Sequence, residues 1–563
     1  MPLNFRLSRG AIQSDLQLLN ELLCYDVKLV SVPFSQNQLL ARPMKYFAAW
    51  LLLLIFDLGL AVQEADTSET LSEGTQTYVS SQLWKGVLVL QNTYDIDAKI
   101  EESLEQIAGE KQLKTCCITA ADSPQIPLLT KLFSDSKQHA QLDATQIFRI
   151  DNTQALDSLA TYQRIWLEVD EATLATISML APHQRKKLIS SLQAVLIKGG
   201  VVCIAGKLDW IGTQHDKDEG LLRNCVVTTS STTENTDLVQ LSVPEGSRLT
   251  ISRRQVICTS DTPGEITLLP TEHYPESLVY PLKSGEIRDW TQIQRTRLER
   301  QQPSFPAATN YRHALSGGAL VIGGGGGMPM EVWNRFVDLA GGENSRIIIL
   351  PTAVPEPKAT PGLEHRLLTK AGAGTIVTLP QTSREEVSSG EFLRELDHAT
   401  GVWFGGGRQW HFVDAYWGTP ALEKLRDVCK RGGVIGGSSA GATIQGDILI
   451  RGAPAGNHIL LADGYRHGLA LLPGVAIDQH FSQRNRFEDF ENFLTGFPTV
   501  FGIGIDEQTA LIVQSTNQCE VMGNSSVWCY PSQLAGRENN ELGSRSTGRV
   551  EHKSGSRFLL DAP

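Results

Sequence analysis

The stretch Cys429–Asp447, "CKRGGVIGGSSAGATIQGD", decides the fold class. A short apolar run leads into a cage of glycines and alanines, and a helix-compatible stretch follows. Gly437-Ser438-Ser439-Ala440-Gly441 fits G-x-S-x-G, the strand-turn-helix elbow that lifts a serine above the end of a parallel sheet. The flanking glycines are required because the turn is strained and the strand and helix backbones approach closely. Only Ser439 has glycine two places away on both sides; Ser438 has Gly436 before it but Ala440 after it. Ser439 is the candidate nucleophile, although the pentapeptide alone fits a plain glycine-rich turn equally well.

Working outward, the chain repeats itself. "GVLVLQNTYD" (Gly86–Asp95) is echoed 232 residues later by "GALVIGGGGG" (Gly318–Gly327), and "TCCITAAD" (Thr115–Asp122) by "IIILPTAV" (Ile347–Val354) at the same offset. Apolar stretches containing Trp166 and Trp403 follow, and Gly199-Gly200 stand over Gly432-Gly433 at an offset of 233. Val- and Ile-rich runs alternating with amphipathic stretches indicate parallel sheets with crossover helices. The expected fold is α/β, with two tandem parallel-sheet domains at 80–305 and 309–532. In this alignment Gly206 faces Ser439 and Ala205 faces Ser438, and "LEVDE" replaces "FGGGRQ". The first domain therefore reads as a degenerate copy. Nothing in 209–306 aligns with the second copy: "SSTTENTD" reads as a surface loop and "DWTQIQRTRLERQQPSFP" as a polar helix running into a linker. Residues 533–563 read as a mobile polar tail.

The chain has 563 residues, more than one core usually organises, with 41% apolar and 20% charged residues, as in folded globular proteins. A formal net charge of -12 argues against a nucleic-acid partner. From Met44 the chain reads as a secretory leader: one lysine, an apolar block Tyr46–Ile55, then Gly59-Leu60-Ala61 with cleavage after Ala61. The block is shorter than the ~20 residues of a spanning helix, and Asp57 interrupts it. The expectation is export, secreted or periplasmic, with no stable membrane insertion after cleavage. Residues 1–43 then form an upstream extension and 62–79 a linker. A single buried or anchoring helix is the alternative. Nine cysteines lack CxxC pairs and Cys/His clusters, so no metal site and no cofactor is expected. Cys519 and Cys529 flank "EVMGNSSVW", which suits either a disulfide or two separate thiols.

A serine hydroxyl needs a base, and the base an orienting acid. His480, in "LPGVAIDQHFSQRNRFEDF", follows an apolar strand-like run in the company of Asp478, Gln479, Arg484 and Arg486. Asp506-Glu507 end another such run, "VFGIGIDEQTALIVQ", where carboxylates point into the crevice at strand termini. Each of these could equally be an ordinary surface charge. "VWFGGGRQWHF" supplies Gly405–Gly407, whose N–H groups could join that of Ala440 as an oxyanion hole. "VIGGGGGMPMEVW" (Val321–Trp333) fails the dinucleotide fingerprint at Met328 and lacks the Lys-Ser/Thr of a phosphate loop. It reads as a strand-to-helix turn with close backbone packing.

Together "FGGGRQ", "GGSSAGA", "DQHFSQRNR" and "GIGIDEQTA" resemble the cyanophycinase and peptidase E group of serine peptidases, over Gly317 to Tyr530. The resemblance implies a class I glutamine-amidotransferase-like fold, with Ser439 as nucleophile, His480 as general base and Glu507 as its acid. It also implies Gly406, Gly407 and Ala440 at the oxyanion hole, and Gln409, Asp478, Gln479, Arg484 and Arg486 lining the substrate pocket. The peptidase E branch takes its acid from between serine and histidine, where Asp447 and Asp463 lie here. The implied substrate is multi-L-arginyl-poly-L-aspartate, or related β-aspartyl peptides, cleaved by an exopeptidase. Arginines would grip its carboxylates and Asp478 a guanidinium. Two positions depart from the family pattern: Phe487-Glu488-Asp489 stand where a third basic residue is usual, and Arg408 replaces an acid. Alternatives are a non-catalytic peptide-binding member, or an α-aspartyl dipeptidase-like enzyme. Relatives are commonly homodimers, so either a homodimer or an intramolecular pseudo-dimer built by the first copy is expected.

Overall fold

The computed structural model describes residues 87–92, 115–118, 147–148, 158–199, 201–208, 210–211, 221–222, 224–228, 238–303, 305, 315–532 and 548–560. The expected leader at 44–61, the extension before it, the linker after it and the loop Ser230–Asp237 lie outside the described residues. Among the described residues, no helix is long and apolar enough to cross a membrane.

The first half contributes β1 (Val87–Gln91), β2 (Thr115–Ile118), β3 (Ile147–Phe148), β4 (Arg164–Val169), β5 (Val201–Gly206) and β6 (Cys225–Thr228). Then come β7 (Val239–Ser242), β8 (Arg248–Ser252), β9 (Gln255–Cys258), β10 (Gly264–Leu268), β11 (Leu278–Leu282) and β12 (Ile287–Asp289). Its helices are α1 (Glu171–Met179), α2 (Pro182–Ile197) and α3 (Trp290–Arg300). The second half opens with β13 (Ala319–Gly323), β14 (Arg346–Leu350), β15 (Thr375–Thr378), β16 (Gly401–Phe404), β17 (Val434–Ser438) and β18 (Gly446–Ile448). It continues with β19 (Leu472–Gln479), β20 (Phe501–Ile505), β21 (Thr509–Gln514), β22 (Gln518–Gly523), β23 (Ser526–Tyr530), β24 (Val550–Lys553) and β25 (Arg557–Leu559). Its helices are α4 (Met330–Ala340), α5 (Leu363–Lys370), α6 (Arg384–Val387), α7 (Gly390–Asp397), α8 (Gln409–Tyr416), α9 (Pro420–Lys430), α10 (Ala440–Thr443) and α11 (Phe487–Gly496).

Among the described residues, the strands of the first half form a mixed sheet in the order β3-β2-β4-β5-β1-β8-β9-β12, and those of the second half one in the order β15-β14-β16-β17-β13-β21-β22-β25. In both, five strands pair in parallel and the remaining three join antiparallel. Smaller sheets run β6-β7-β10-β11 and β18-β19-β20-β23-β24. The pairing senses of β6-β7-β10-β11 match those of β19-β20-β23-β24: one parallel contact, then two antiparallel ones. The sequence of 209–306 aligns with nothing in the second half, so the likeness lies in the pairing of the strands alone. The strand order repeats there although the residues do not.

The period-two burial of a central parallel sheet is plain in the second half. Leu320, Ile322, Ile348, Leu350, Val402, Phe404 and Ile435 enter one core. Their alternates Ala319, Val321, Ile347, Ile349, Trp403 and Val434 enter another, under Val332, Trp333, Phe336 and Val337 of α4. Trp403 packs on Trp333 with ring centroids 4.3 Å apart and edge-on to Phe336 at 5.0 Å.

The polar helix expected near 290–300 is α3, and it is buried between the halves: Gln294, Arg295, Arg297, Glu299 and Arg300 are all buried. Glu299 accepts the backbone N–H groups of Gly464 (2.7 Å) and Arg466 (2.9 Å) and pairs with the Arg466 guanidinium at 2.9 Å. Arg295 donates to Gly464 O at 3.2 Å, and Gln292 to Asp463 O at 3.0 Å. Charged groups leave water here because each has a partner.

The chain beyond Ser532 was expected to be a mobile tail; residues 548–560 instead add β24 to the smaller sheet and β25 to the larger, and Leu560 is buried in the core. Their side chains are mostly exposed, so they lack the apolar alternation that marks a strand. Cutting the chain after Ser532 therefore strips a strand from each sheet. It should lower unfolding free energy by at least ~2 kcal/mol, the burial of Leu560 alone. Denaturant melts of the two chains check this, and equal midpoints would refute the placement.

Candidate active site

The elbow is built as the glycine pattern requires. Ser439 follows β17 at φ 55° and ψ -116°, and opens α10. A methyl on Gly437 would lie 2.3 Å from Gly441 O, and one on Gly441 2.3 Å from Phe404 O, so no larger residue fits either place. The positive φ at a non-glycine residue stores strain of about 1–3 kcal/mol. Ser438 remains within β17, paired with Gly323.

The Ser439 Oγ lies 2.9 Å from His480 Nε2, and His480 Nδ1 lies 2.6 Å from Glu507 Oε1. The Nδ1–H tautomer satisfies both contacts: imidazole donates to the carboxylate and accepts from the hydroxyl. His480 follows the end of β19 and Glu507 the end of β20, so the line joins the carboxyl ends of two sheets. Neighbouring acids are engaged elsewhere. Asp506 accepts from Ser482 N (3.0 Å), Ser525 Oγ (2.8 Å) and Trp528 Nε1 (3.3 Å). Asp447 accepts from Gly474 N at 3.0 Å, and Asp463 sits beside Arg466.

The glycine run after β13 aligns these three segments. The carbonyls of Gly323, Gly324 and Gly325 accept, in turn, the backbone N–H of Ser439 (3.0 Å), His480 (2.9 Å) and Gln508 (2.7 Å). The side chains then rest on the bare backbone: a methyl on Gly325 would lie 2.2 Å from the His480 ring, and one on Gly326 2.6 Å from Glu507 Cβ. The expectation of a turn with close packing holds, and its partners are the serine, histidine and acid segments.

Gly405–Gly407 follow β16, beside the elbow; a methyl on Gly406 would lie 3.7 Å from Ser439 Cβ. Arg408 N donates to Ala353 O at 2.9 Å and fixes the loop. Among the described residues, the N–H groups of Gly406, Gly407 and Ala440 donate to no other group. They are available to an oxyanion.

The five residues expected to line the pocket divide. Arg484 is exposed, beside His480. Gln409 is buried at the start of α8 with Nε2 3.4 Å from Ile450 O, and Gln479 is buried next to His480. Asp478 and Arg486 are turned on each other instead of outward. Asp478 is fully buried and accepts from Arg451 Nε (3.1 Å) and Arg486 Nη1, while Arg486 also donates to Gln479 O at 2.8 Å. The expectation that Asp478 meets a substrate guanidinium is thus corrected: two internal arginines occupy it. Asp489, the acid in the departing Phe487-Glu488-Asp489, pairs with Arg451 at 3.2 Å. Arg408, the other departure, donates to Ala453 O at 2.7 Å and Pro454 O at 3.2 Å. Arg451 was missed in the sequence, where nothing separates it from other loop arginines. Cys519 and Cys529 are both buried thiols, and burial pushes the Cys529 thiol up.

Burial holds the His480 imidazole below the ordinary histidine value, the Arg484 cation adds to this, and Glu507 opposes it. The neutral, proton-accepting form therefore prevails at pH 7 and is lost only as pH falls through that depressed value. Arg484→Gln removes a lowering charge and should move the His480 titration midpoint up; Glu507→Gln removes a raising one and should move it down. NMR titration of the ring reads both signs, and movement the other way in either variant contradicts the assignment.

Residues 319–520 match Peptidase family S51. A cyanophycinase from Geminocystis herdmanii (strain PCC 6308) is 31% identical over 231 residues, 40% of this chain and 85% of that protein. A cyanophycinase from Trichormus variabilis (strain ATCC 29413 / PCC 7937) is 30% identical over 258 residues, 45% of this chain and 83% of that one. Among solved structures, a peptidase from an acI-B1 Actinobacterium is 22% identical at a TM-score of 0.33, covering 44% of this chain and 98% of its own. With most of the length of these curated relatives spanned, the chain belongs to peptidase family S51 and is a serine-type peptidase.

Proposed function

We propose that the protein is an exported exopeptidase that hydrolyses cyanophycin, or related β-aspartyl peptides, with Ser439, His480 and Glu507 as its catalytic triad. The observation that carries the chemistry is the unbroken line from Ser439 Oγ to His480 to Glu507, at 2.9 and 2.6 Å. As Ser439 Oγ bonds to the scissile carbonyl carbon, its proton passes to His480 Nε2. The carbonyl oxygen takes the negative charge toward the N–H groups of Gly406, Gly407 and Ala440. Collapse breaks the C–N bond, and the leaving amine takes the proton from Nε2. Water then repeats the sequence on the acyl-serine, and Glu507 keeps the ring oriented and stabilises its cation throughout.

The substrate class draws support from the cyanophycinases among the relatives and from Arg484, an exposed cation beside the triad suited to a substrate carboxylate. Export rests on the leader-like residues 44–61 alone. The first half is read as a tandem copy without the chemistry, supported by the repeated strand order and by Gly206 at the end of β5, where β17 leads into Ser439. Its role as a built-in partner is supported by the contacts of α3 with 463–466.

Incubating the parent protein and Ser439→Ala with cyanophycin and with β-aspartyl dipeptides tests the reading. The parent should release products, and the variant should be slower by about 10⁴-fold or more. If the parent cleaves neither, the substrate assignment fails; if the variant keeps its rate, the nucleophile does.

A further inference from the structure

Asp414 and Trp410 lie on α8, the helix that begins two residues after the oxyanion loop Gly405–Gly407. Both are buried, and both are held from the first half of the chain by one side chain. Arg254 stands in the two-residue turn between β8 and β9, where Ser252 pairs with Gln255. Its Nη1 donates to Asp414 Oδ2 at 2.6 Å, its Nη2 to the Tyr465 hydroxyl at 2.8 Å, and its guanidinium covers the Trp410 ring at 4.2 Å. The same cation is anchored at home: Nε and Nη2 donate to Asp289 Oδ2 at 3.0 and 2.8 Å. Asp289 is itself fixed, because its other oxygen caps α3 by accepting Gln292 N at 2.8 Å. Tyr465 closes the ring by donating to Asp414 Oδ1 at 2.9 Å, with Arg295 Nε 3.7 Å from that oxygen.

We propose that Arg254 is a positioning residue for the oxyanion loop, through which the first half of the chain sets the rate of acylation at Ser439. The inference rests on Ser439 being the nucleophile. Arg254 touches no reacting atom. It fixes the height and rotation of α8, and only Arg408 separates that helix from the N–H groups of Gly406 and Gly407. An oxyanion hole works only when its donors already sit where the charge will form, so a small shift of α8 costs rate before it costs binding. A lysine cannot replace the fork. Its single ammonium cannot reach Asp289, Asp414 and Tyr465 together while covering Trp410.

The test uses the full chain and the rate at which a fluorophosphonate labels Ser439. That reaction forms an O–P bond with loss of fluoride, and it needs the oxyanion donors but not the natural substrate. Arg254→Met should slow labelling about tenfold or more, and Arg254→Lys should fall between it and the parent. Arg254→Lys keeps the buried positive charge and so remains informative if Arg254→Met does not fold. Arg248→Met serves as a control for stability, because Arg248 is a buried arginine of β8 that donates to Gln91 Oε1 at 3.0 Å, far along the chain from α8. It should lower the melting midpoint and leave the labelling rate of the folded protein unchanged. Parental labelling by a folded Arg254→Met or Arg254→Lys overturns the inference, as does equal slowing by Arg248→Met. A parent that is not labelled at Ser439 overturns the nucleophile assignment and the inference with it.

Discussion

Three consecutive backbone carbonyls hold this site together. Gly323, Gly324 and Gly325 receive the N–H groups of Ser439, His480 and Gln508, so one short strand end sets the spacing of three segments that are far apart in sequence. Hydrogen bonds of this kind are individually modest, about 1 kcal/mol each. Their value lies in geometry: consecutive carbonyls of one chain cannot drift relative to each other as separate loops can. The run must also be bare, because the imidazole and the carboxylate lie where its side chains would be. The strained φ angles of Ser439 and His480, 55° and 50°, are tolerated because the acceptor of each backbone N–H is already fixed.

Buried charge is the second theme, and it explains which charges remain for a substrate. Arg451, Arg486 and Asp478 neutralise each other behind the histidine, with Asp489 at the rim. Between the halves, Arg254 and Arg295 are set against Asp289 and Asp414. Losing one member of such a set leaves a buried charge uncompensated, at a cost of about 3–5 kcal/mol. These groups organise the protein, and none is spare. Arg484 differs because it remains in water.

The sequence carried the elbow and the order of serine, histidine and acid, because each follows an apolar run and a strand end is a legible place. The glycine run was legible as a close-packed turn, but its partners were not, since no local pattern records which distant N–H groups arrive. Asp478 and Arg486 show a further limit. A cluster of opposite charges reads alike whether it faces a ligand or itself, and only burial separates the cases. The strands of 548–560 escaped notice because they are polar and exposed, and the burial of α3 was not legible because its Arg295 and Glu299 find their partners, Asp414 and Arg466, more than a hundred residues away.

Gly206 closes β5 at φ 100°, in the place that Ser439 takes after β17 at 55°. Both φ angles are positive, but they differ. The φ of Ser439 comes with a ψ of -116°, outside the left-handed basin, so the armed turn is strained for a residue with a Cβ, and glycine relieves that strain. Serine at 206 would supply the hydroxyl, but it would present it as Ser439 does only if φ there moved from 100° to 55°. Restoring a hydroxyl at that position is therefore not the same as restoring an elbow, because the backbone there follows a different path.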